Sequence, residues 1–186
     1  MKAYFTASVI GKQYHLDHYL KIIEILKSKS VDVRAEHILE ATETTIRIKN
    51  KDQRLAFMDQ LESWITASDF LVAETTFPSI SVGYEISIAL HRGKPVLILY
   101  NEGEPPSLIV YHHEDKVVSE KYTPETLPGI IADFVNFVRG ASDIRFTFFI
   151  TPQIAAFLKK VAKIQKIPKS VYLRKLIESN MTTKNH

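Results

Sequence analysis

The sequence predicts an α/β fold, a parallel sheet with helices on both faces in the Rossmann-like or flavodoxin-like manner, followed by a small C-terminal appendage. Three observations point there. Over the first 140 residues short strand-like runs alternate with longer helical ones, the rhythm of βαβ units. The run 95–100, Pro-Val-Leu-Ile-Leu-Tyr, is almost wholly apolar, as a strand covered on both faces must be. The charge also changes sign along the chain: residues 144–186 hold nine Lys and Arg against one acid, net +8, whereas residues 1–143 net −5. A boundary near Gly140-Ala141-Ser142-Asp143 therefore separates a domain over 1–140 from a basic segment over 144–180, with 181–186 expected as a disordered tail.

Each element follows from its period. Residues 3–7 read as the first strand, and Leu16, Leu20, Ile23, Ile25 and Leu26 give an amphipathic helix over 14–29. Residues 31–38 read as a second strand, and the polar stretch 40–52 as a long loop. Phe57, Leu61, Trp64 and Ile65 recur at helical spacing ahead of a third strand at 70–74. A short helix is expected at 82–91, a fourth strand at 95–100, a Gly/Pro-rich loop at 101–107, a fifth strand at 108–111 and a closing helix at 123–139.

The 186 residues are 45% hydrophobic, enough to bury a core. There are no cysteines, which removes disulfides, thiolate metal sites and thiol nucleophiles. No apolar run nears the ~20 residues of a membrane span, and the N-terminus lacks a signal-peptide pattern, so a cytoplasmic protein with no membrane association is expected. The seven histidines, His112-His113 included, show no metal-ligand spacing, and nothing calls for a cofactor or a metal.

In a parallel α/β sheet the ligand site lies beyond the carboxyl ends of the strands. Here the third strand runs into Thr75-Thr76-Phe77-Pro78-Ser79-Ile80-Ser81, and a helix is expected from Val82-Gly83, with Glu85 in its first turn. Hydroxyls and helix-start N–H groups suit a phosphate or sugar oxygen, and a carboxylate there suits attack on an electropositive sugar carbon. Each nominee also has a plainer reading. Glu85 would serve the helix dipole, and Ser8, Ser79 and Ser81 would be turn residues. Asp69 would cap a strand entrance, His37 would be an interior histidine, and Trp64, Phe77 and Tyr84 would be core or pocket wall.

Three stretches carry a family resemblance: Tyr4-Phe5-Thr6-Ala7-Ser8, then Glu36-His37, then Ala73-Glu74 with Pro78-Ser79-Ile80-Ser81-Val82-Gly83-Tyr84-Glu85. Over about residues 3–138 the chain resembles the nucleoside 2-deoxyribosyltransferase family, and within it the 2′-deoxynucleoside 5′-phosphate N-hydrolases. The resemblance implies that Glu85 is a nucleophile forming a glycosyl-enzyme intermediate at C1′. Ser8, Gly11, His37, Asp69, Ser79, Ser81 and Gly83 would line the substrate, and Ser107 would reach a neighbouring subunit's phosphate. The chain also departs from the pattern. The hydrolases follow the first-strand serine with Ile-Arg-Gly, whereas here Val9-Ile10-Gly11 stand, leaving Lys12 to replace the charge. The position of the family's proton-donating carboxylate holds Leu61, with Asp59 two residues earlier and Glu62 one later. Asp59 is the candidate acid, provided the helix is shifted.

After the boundary, residues 144–150 alternate Phe146, Phe148, Ile150 against Arg145, Thr147, Phe149 as a lone strand. Thr151-Pro152 then starts a helix with Ile154, Phe157, Leu158, Val161 and Ala162 on one face, and Ile167-Pro168-Lys169-Ser170 opens a second helix. This β-α-α segment resembles ribbon-helix-helix proteins, which implies pairing of two strands across a homo-oligomer, a dimer or a dimer of dimers. Arg145, Thr147, Lys169 and Ser170 are the candidate DNA contacts. Phe149 offers no hydrogen bond to a base edge, so pairing is the stronger expectation and DNA contact the weaker.

Two functions follow as expectations. The first is cleavage or transfer of the N-glycosidic bond of a (deoxy)nucleoside or its 5′-monophosphate through Glu85. The alternative is a nucleotide-sensing DNA-binding regulator whose first domain is catalytically weak or inactive.

Overall fold

The computed structural model describes residues 1–42, 50–103, 116–140 and 150–165, with Lys169, Tyr172, Leu173, Leu176, Ile177, Ser179 and Asn180. The chain divides into two units, Met1–Arg145 and Phe146–His186.

In the first unit five strands, β1 (Lys2–Ala7), β2 (Asp32–Arg34), β3 (Phe70–Glu74), β4 (Val96–Tyr100) and β5 (Val117–Lys121), form a parallel sheet in the order β2-β1-β3-β4-β5. The strand order reverses between β1 and β3, the point where parallel α/β sheets place their ligand crevice, and the carboxyl ends there, Ala7 and Glu74, are opposite one another in register. Six helices are described: α1 (Lys12–Ser28), α2 (Glu36–Leu39), α3 (Lys51–Ala67), α4 (Ile80–His91), α5 (Leu127–Val138) and, in the second unit, α6 (Pro152–Gln165). Alternation along the strands divides the core in two. Phe5, Phe70, Val72, Leu97 and Leu99 pack with residues of α1 and α5, among them Tyr19, Ile22, Ile131 and Phe134. Tyr4, Leu71, Ala73, Val96 and Ile98 pack with Leu61 and Ile65 of α3 and Val82, Ile86 and Ala89 of α4.

The α/β expectation holds, and four boundaries differ for physical reasons. The second strand ends at Arg34, because burial alternates at Val31, Val33 and Ala35 and then steps by three to Ile38 as the chain turns into α2. The stretch expected as a loop to residue 52 already contains the start of α3. Asn50 Oδ1 accepts from Gln53 N at 2.9 Å and Gln53 Oε1 accepts from Asn50 N at 3.1 Å, a reciprocal capping box. The helix expected from Val82 begins at Ile80, because the Ser79 hydroxyl accepts from Val82 N at 3.4 Å and so occupies the N-cap. That moves Glu85 from the first turn to the second. The strand expected at 108–111 lies outside the described residues, and the fifth strand of the sheet is Val117–Lys121, an edge strand with half-buried side chains whose Val-Val-Ser-Glu-Lys carries little apolar signal.

In the second unit Thr151 caps α6 as expected, its hydroxyl accepting from Ile154 N at 3.3 Å. Phe157 meets Tyr172 edge to face at 6.4 Å. The strand expected at 144–150 lies outside the described residues except for Ile150, as do Arg145, Thr147, Phe149, Ser170 and the tail 181–186. Lys169 is exposed and helical.

Candidate active site

The helix start at Ile80 places Glu85 in the second turn of α4, on its inner face and one position before Ile86 of the core. Only 5% of the residue is exposed. Tyr4, on the strand face that meets α4, donates its hydroxyl to Glu85 Oε2 at 3.1 Å. Thr6 shares that face, its buried hydroxyl near enough to the carboxylate to favour the charged form but without a hydrogen bond of ordinary geometry. Burial nevertheless dominates and raises the Glu85 pKa from 4.5 to about 7, with Thr6 and Tyr4 opposing the rise. The Tyr4 phenol is pushed far above its ordinary value by burial and by the negative charge of Glu85, so it remains a donor.

His37 follows on α2. Its ring stacks on Tyr4 at 4.7 Å and lies 5.5 Å from Trp64, and neither ring nitrogen has a hydrogen-bond partner. Burial lowers its pKa from 6.5 to about 4, so the imidazole is neutral at pH 7 with polar atoms to spare beside the Tyr4–Glu85 pair. Glu85, Tyr4, Thr6 and His37 thus form one cluster on the α3/α4 side of β1.

The other nominees lie elsewhere or act locally. The Ser8 hydroxyl accepts from Gly11 N at 3.0 Å, closing its own turn. Gly11 is required by packing, since a Cβ there would stand 2.5 Å from Phe77 Cβ. Ser79 caps α4, Ser81 is exposed in the first turn, and Gly83 N bonds to Ser79 O at 3.2 Å. Asp69 sits at the opposite, amino end of β3, where its Oδ2 accepts from Lys2 N at 2.7 Å. Asp59 is exposed on α3, whereas Leu61, some 200° around the helix from it, faces the core with Ile65. The shift that would have turned Asp59 inward has not occurred. Lys12 does not replace the missing arginine charge, because its ammonium donates to the backbone carbonyls of Ile38 (3.0 Å), Leu39 (2.8 Å) and Ala41. Ser107 lies outside the described residues.

Tyr4 and Glu74, motif residues to which the sequence alone gives no role, are both wholly buried. Glu74 is wholly buried at the end of β3 on the α1/α5 face. Its Oε1 accepts from Thr76 N (3.3 Å), from the Thr76 hydroxyl and from Tyr122 (3.2 Å), while Oε2 has no partner. Desolvation raises its pKa. The signal for Tyr4 was its parity with Thr6, readable only once the phase of α4 is known. Among the described residues no group of three or more His, Asp or Glu is placed to hold a metal ion, and no helix is long and apolar enough to cross a membrane.

With a 2-1-3-4-5 parallel sheet and a buried carboxylate on the helix after β3, the chain can be set beside known proteins. No family model matches the sequence. Among solved structures, the CMP N-glycosidase of Clostridium botulinum superposes with a TM-score of 0.52 at 18% identity, over 74% of this chain and 99% of that one. A 2-deoxyribosyltransferase of Bacillus psychrosaccharolyticus gives 0.51 at 18%, over 69% and 96%. The fold is thus the one these N-glycosidase and deoxyribosyltransferase chains share.

Sequence relatives narrow the class. A protein of Nematostella vectensis that carries the name of a 2′-deoxynucleoside 5′-phosphate N-hydrolase is 33% identical over 139 residues, 72% of this chain and 92% of that protein. A Methanosarcina mazei protein of the same name is 31% identical over 135 residues, 72% and 83%. The 5-hydroxymethyl-dUMP N-hydrolase of Danio rerio is 33% identical over 100 residues, 54% and 68%. The chain belongs to the 2′-deoxynucleoside 5′-phosphate N-hydrolase family.

Proposed function

We propose that the first unit cleaves the N-glycosidic bond of a (deoxy)nucleoside or its 5′-monophosphate through Glu85. The observation that carries this reading is the Glu85 carboxylate, buried on the helix after β3, held by Tyr4 and poised to ionise near pH 7. In the first step a Glu85 oxygen forms a bond to C1′ as the C1′–N bond breaks and its electron pair leaves with the base. The departing base takes a proton from water, and the water that attacks in the second step returns one to solvent. With Asp59 turned to solvent, the neutral His37, stacked on Tyr4, would hydrogen-bond the base. In the second step water attacks C1′, releasing the sugar and restoring the carboxylate; an acceptor base in place of water gives transfer instead. Tyr4 keeps the unreacted carboxylate oriented and supports it as leaving group in this second step.

The names of the relatives, which are N-hydrolases acting on nucleotides, support the same chemistry. Nothing among the relatives named above favours the DNA-binding regulator. Incubation with a panel of nucleosides and 5′-monophosphates, with free base followed by chromatography, tests the proposal; base release that Glu85→Gln leaves undiminished rules it out.

A further inference from the structure

The glycosidase reading leaves Glu74, the second wholly buried carboxyl of the sheet, without a task. A carboxyl taken out of water is costly to keep, and an apolar side chain of its size would fill the same space without that cost. We infer that Glu74 is a positioning residue for Glu85: its Oε1 pins the loop between β3 and α4 and so fixes where the helix that carries Glu85 begins. The inference rests on the glycosidase reading of the Glu85 site.

Three donors converge on Oε1: the backbone N–H of Thr76 at 3.3 Å, the Thr76 hydroxyl, and the Tyr122 hydroxyl at 3.2 Å. Oε2 has no hydrogen-bond partner among the described residues. Burial raises the Glu74 pKa, which favours the protonated acid and spares the bare oxygen a full charge. What Glu74 supplies is therefore an acceptor at a fixed point, where the carboxyl ends of three neighbouring strands meet. Thr76 extends the link to β4, its hydroxyl accepting from Asn101 N at 3.0 Å. Thr75 adds bonds from its N–H (2.8 Å) and its hydroxyl (3.2 Å) to Leu99 O. Tyr122, directly after β5, extends it to α1, where His18 Nδ1 lies 3.0 Å from the Tyr122 hydroxyl.

From Thr76 the chain reaches the start of α4 by a short, stiff route. Phe77 lies against Gly11 and stacks on Tyr14 at 6.1 Å. Pro78 has its φ fixed by its ring. Ser79 caps the helix, its hydroxyl accepting from Val82 N at 3.4 Å and its carbonyl from Gly83 N at 3.2 Å. Few free dihedrals separate Thr76 from that cap, so a shift of Thr76 is passed on to it. Val82, Ile86 and Ala89 press α4 onto the sheet, but apolar contact is non-directional and leaves the position of the helix along its own axis to the tether at its start. Glu85 is six residues beyond Ser79, and misplacing a reacting group by about 1 Å is enough to lower a rate on the order of 100-fold.

The test measures base release and amide hydrogen exchange on the full chain, in wild type, Glu74→Gln, Glu74→Met and Thr76→Val. Gln keeps an oxygen acceptor in place of Oε1, and Met keeps the bulk without it. The expected result is a kcat at least about tenfold lower in Glu74→Met with KM within about threefold of wild type, and a Glu74→Gln kcat within about threefold of wild type. The double variant Glu74→Met with Thr76→Val should be no slower than Thr76→Val alone, because the two substitutions break one link. The amides of Val82 and Gly83 should exchange at least about tenfold faster in Glu74→Met than in wild type or Glu74→Gln, while those of Ile86 and Ala89 exchange alike in all three. A wild-type kcat in Glu74→Met, a Glu74→Gln as slow as Glu74→Met, or losses that add in the double variant overturn the inference and leave the glycosidase reading intact. If wild type releases no base, that reading fails, and the exchange pattern still decides this one. Faster exchange confined to Val82 and Gly83 supports it; unchanged rates, or faster exchange spread evenly along α4, overturn it. Should Glu74→Met not fold, Thr76→Val takes its place in both measurements, and a wild-type kcat or unchanged exchange at Val82 and Gly83 overturns the inference.

Discussion

At the scale of single residues, the account turns on Glu85 and its donor. The carboxylate must be ionised to attack C1′, so kcat/KM is expected to rise with pH through about 7. Tyr4→Phe removes a donor that favours the charged form, so a pH–rate series should show that limb moved to higher pH with kcat reduced about 10- to 100-fold. An unmoved limb would separate Tyr4 from the carboxylate. Stability has its own sign. Because the folded pKa lies above the unfolded 4.5, the native state holds its proton more tightly, and the associated stability is full below pH 4.5 and lost as pH rises through about 7. The loss is on the order of 3 kcal/mol for this buried group. Denaturant titrations should therefore find Glu85→Gln gaining on wild type at pH 8 relative to pH 5; an equal difference at both would contradict the raised pKa. Glu85 was legible in the sequence because its motif is long and ends a loop at a strand's carboxyl end. Tyr4 was not, since a strand residue shows which helix residue it meets only after the helix phase is set by Ser79.

At the scale of elements, loops and caps carry the site. Gly11→Ala would drive a Cβ to 2.5 Å from Phe77 Cβ, and thermal or chemical unfolding should register a loss of about 1–3 kcal/mol; Phe77→Gly in the same chain, which removes that atom, should recover part of it. Ser30 closes α1 with a φ of 59°, in the left-handed region, as Val31 N reaches Leu26 O at 3.3 Å. Ser30→Gly is expected to stabilise by up to about 1 kcal/mol in the same assay, and a loss would mean that the Ser30 side chain matters more than its backbone. Elements with strong periods, such as 70–74 and 96–100, were readable because both faces of the strand are covered. Those that were misplaced depended on quieter signals. The start of α3 is set by an Asn50–Gln53 capping box within a polar stretch, and β5 is an edge strand whose polar residues resemble a loop.

At the scale of the whole molecule, the change from net −5 to net +8 falls near the division of the chain into its two units. The alternation of Phe146, Phe148 and Ile150 in the sequence underlies the proposal that the second unit pairs chains, an unpaired apolar strand being poorly tolerated alone. Removing residues 144–186 should then lower the number of chains per particle found by light scattering, and an unchanged number would assign any interface to the α/β unit. The parallel sheet was legible from the βαβ rhythm, whereas its strand order was not, since a rhythm of elements does not say which strands pair. The loss of the second carboxylate from the site was legible only as a doubt, because Leu61 and Asp59 differ by the rotation of one helix. The central claim concerns Glu85, and one measurement bears on it most directly: release of free base from nucleosides and 5′-monophosphates by wild type and by Glu85→Gln. The account predicts release by wild type and a loss of at least about 10³-fold in the variant; no release from any substrate, or equal release by both proteins, would contradict it.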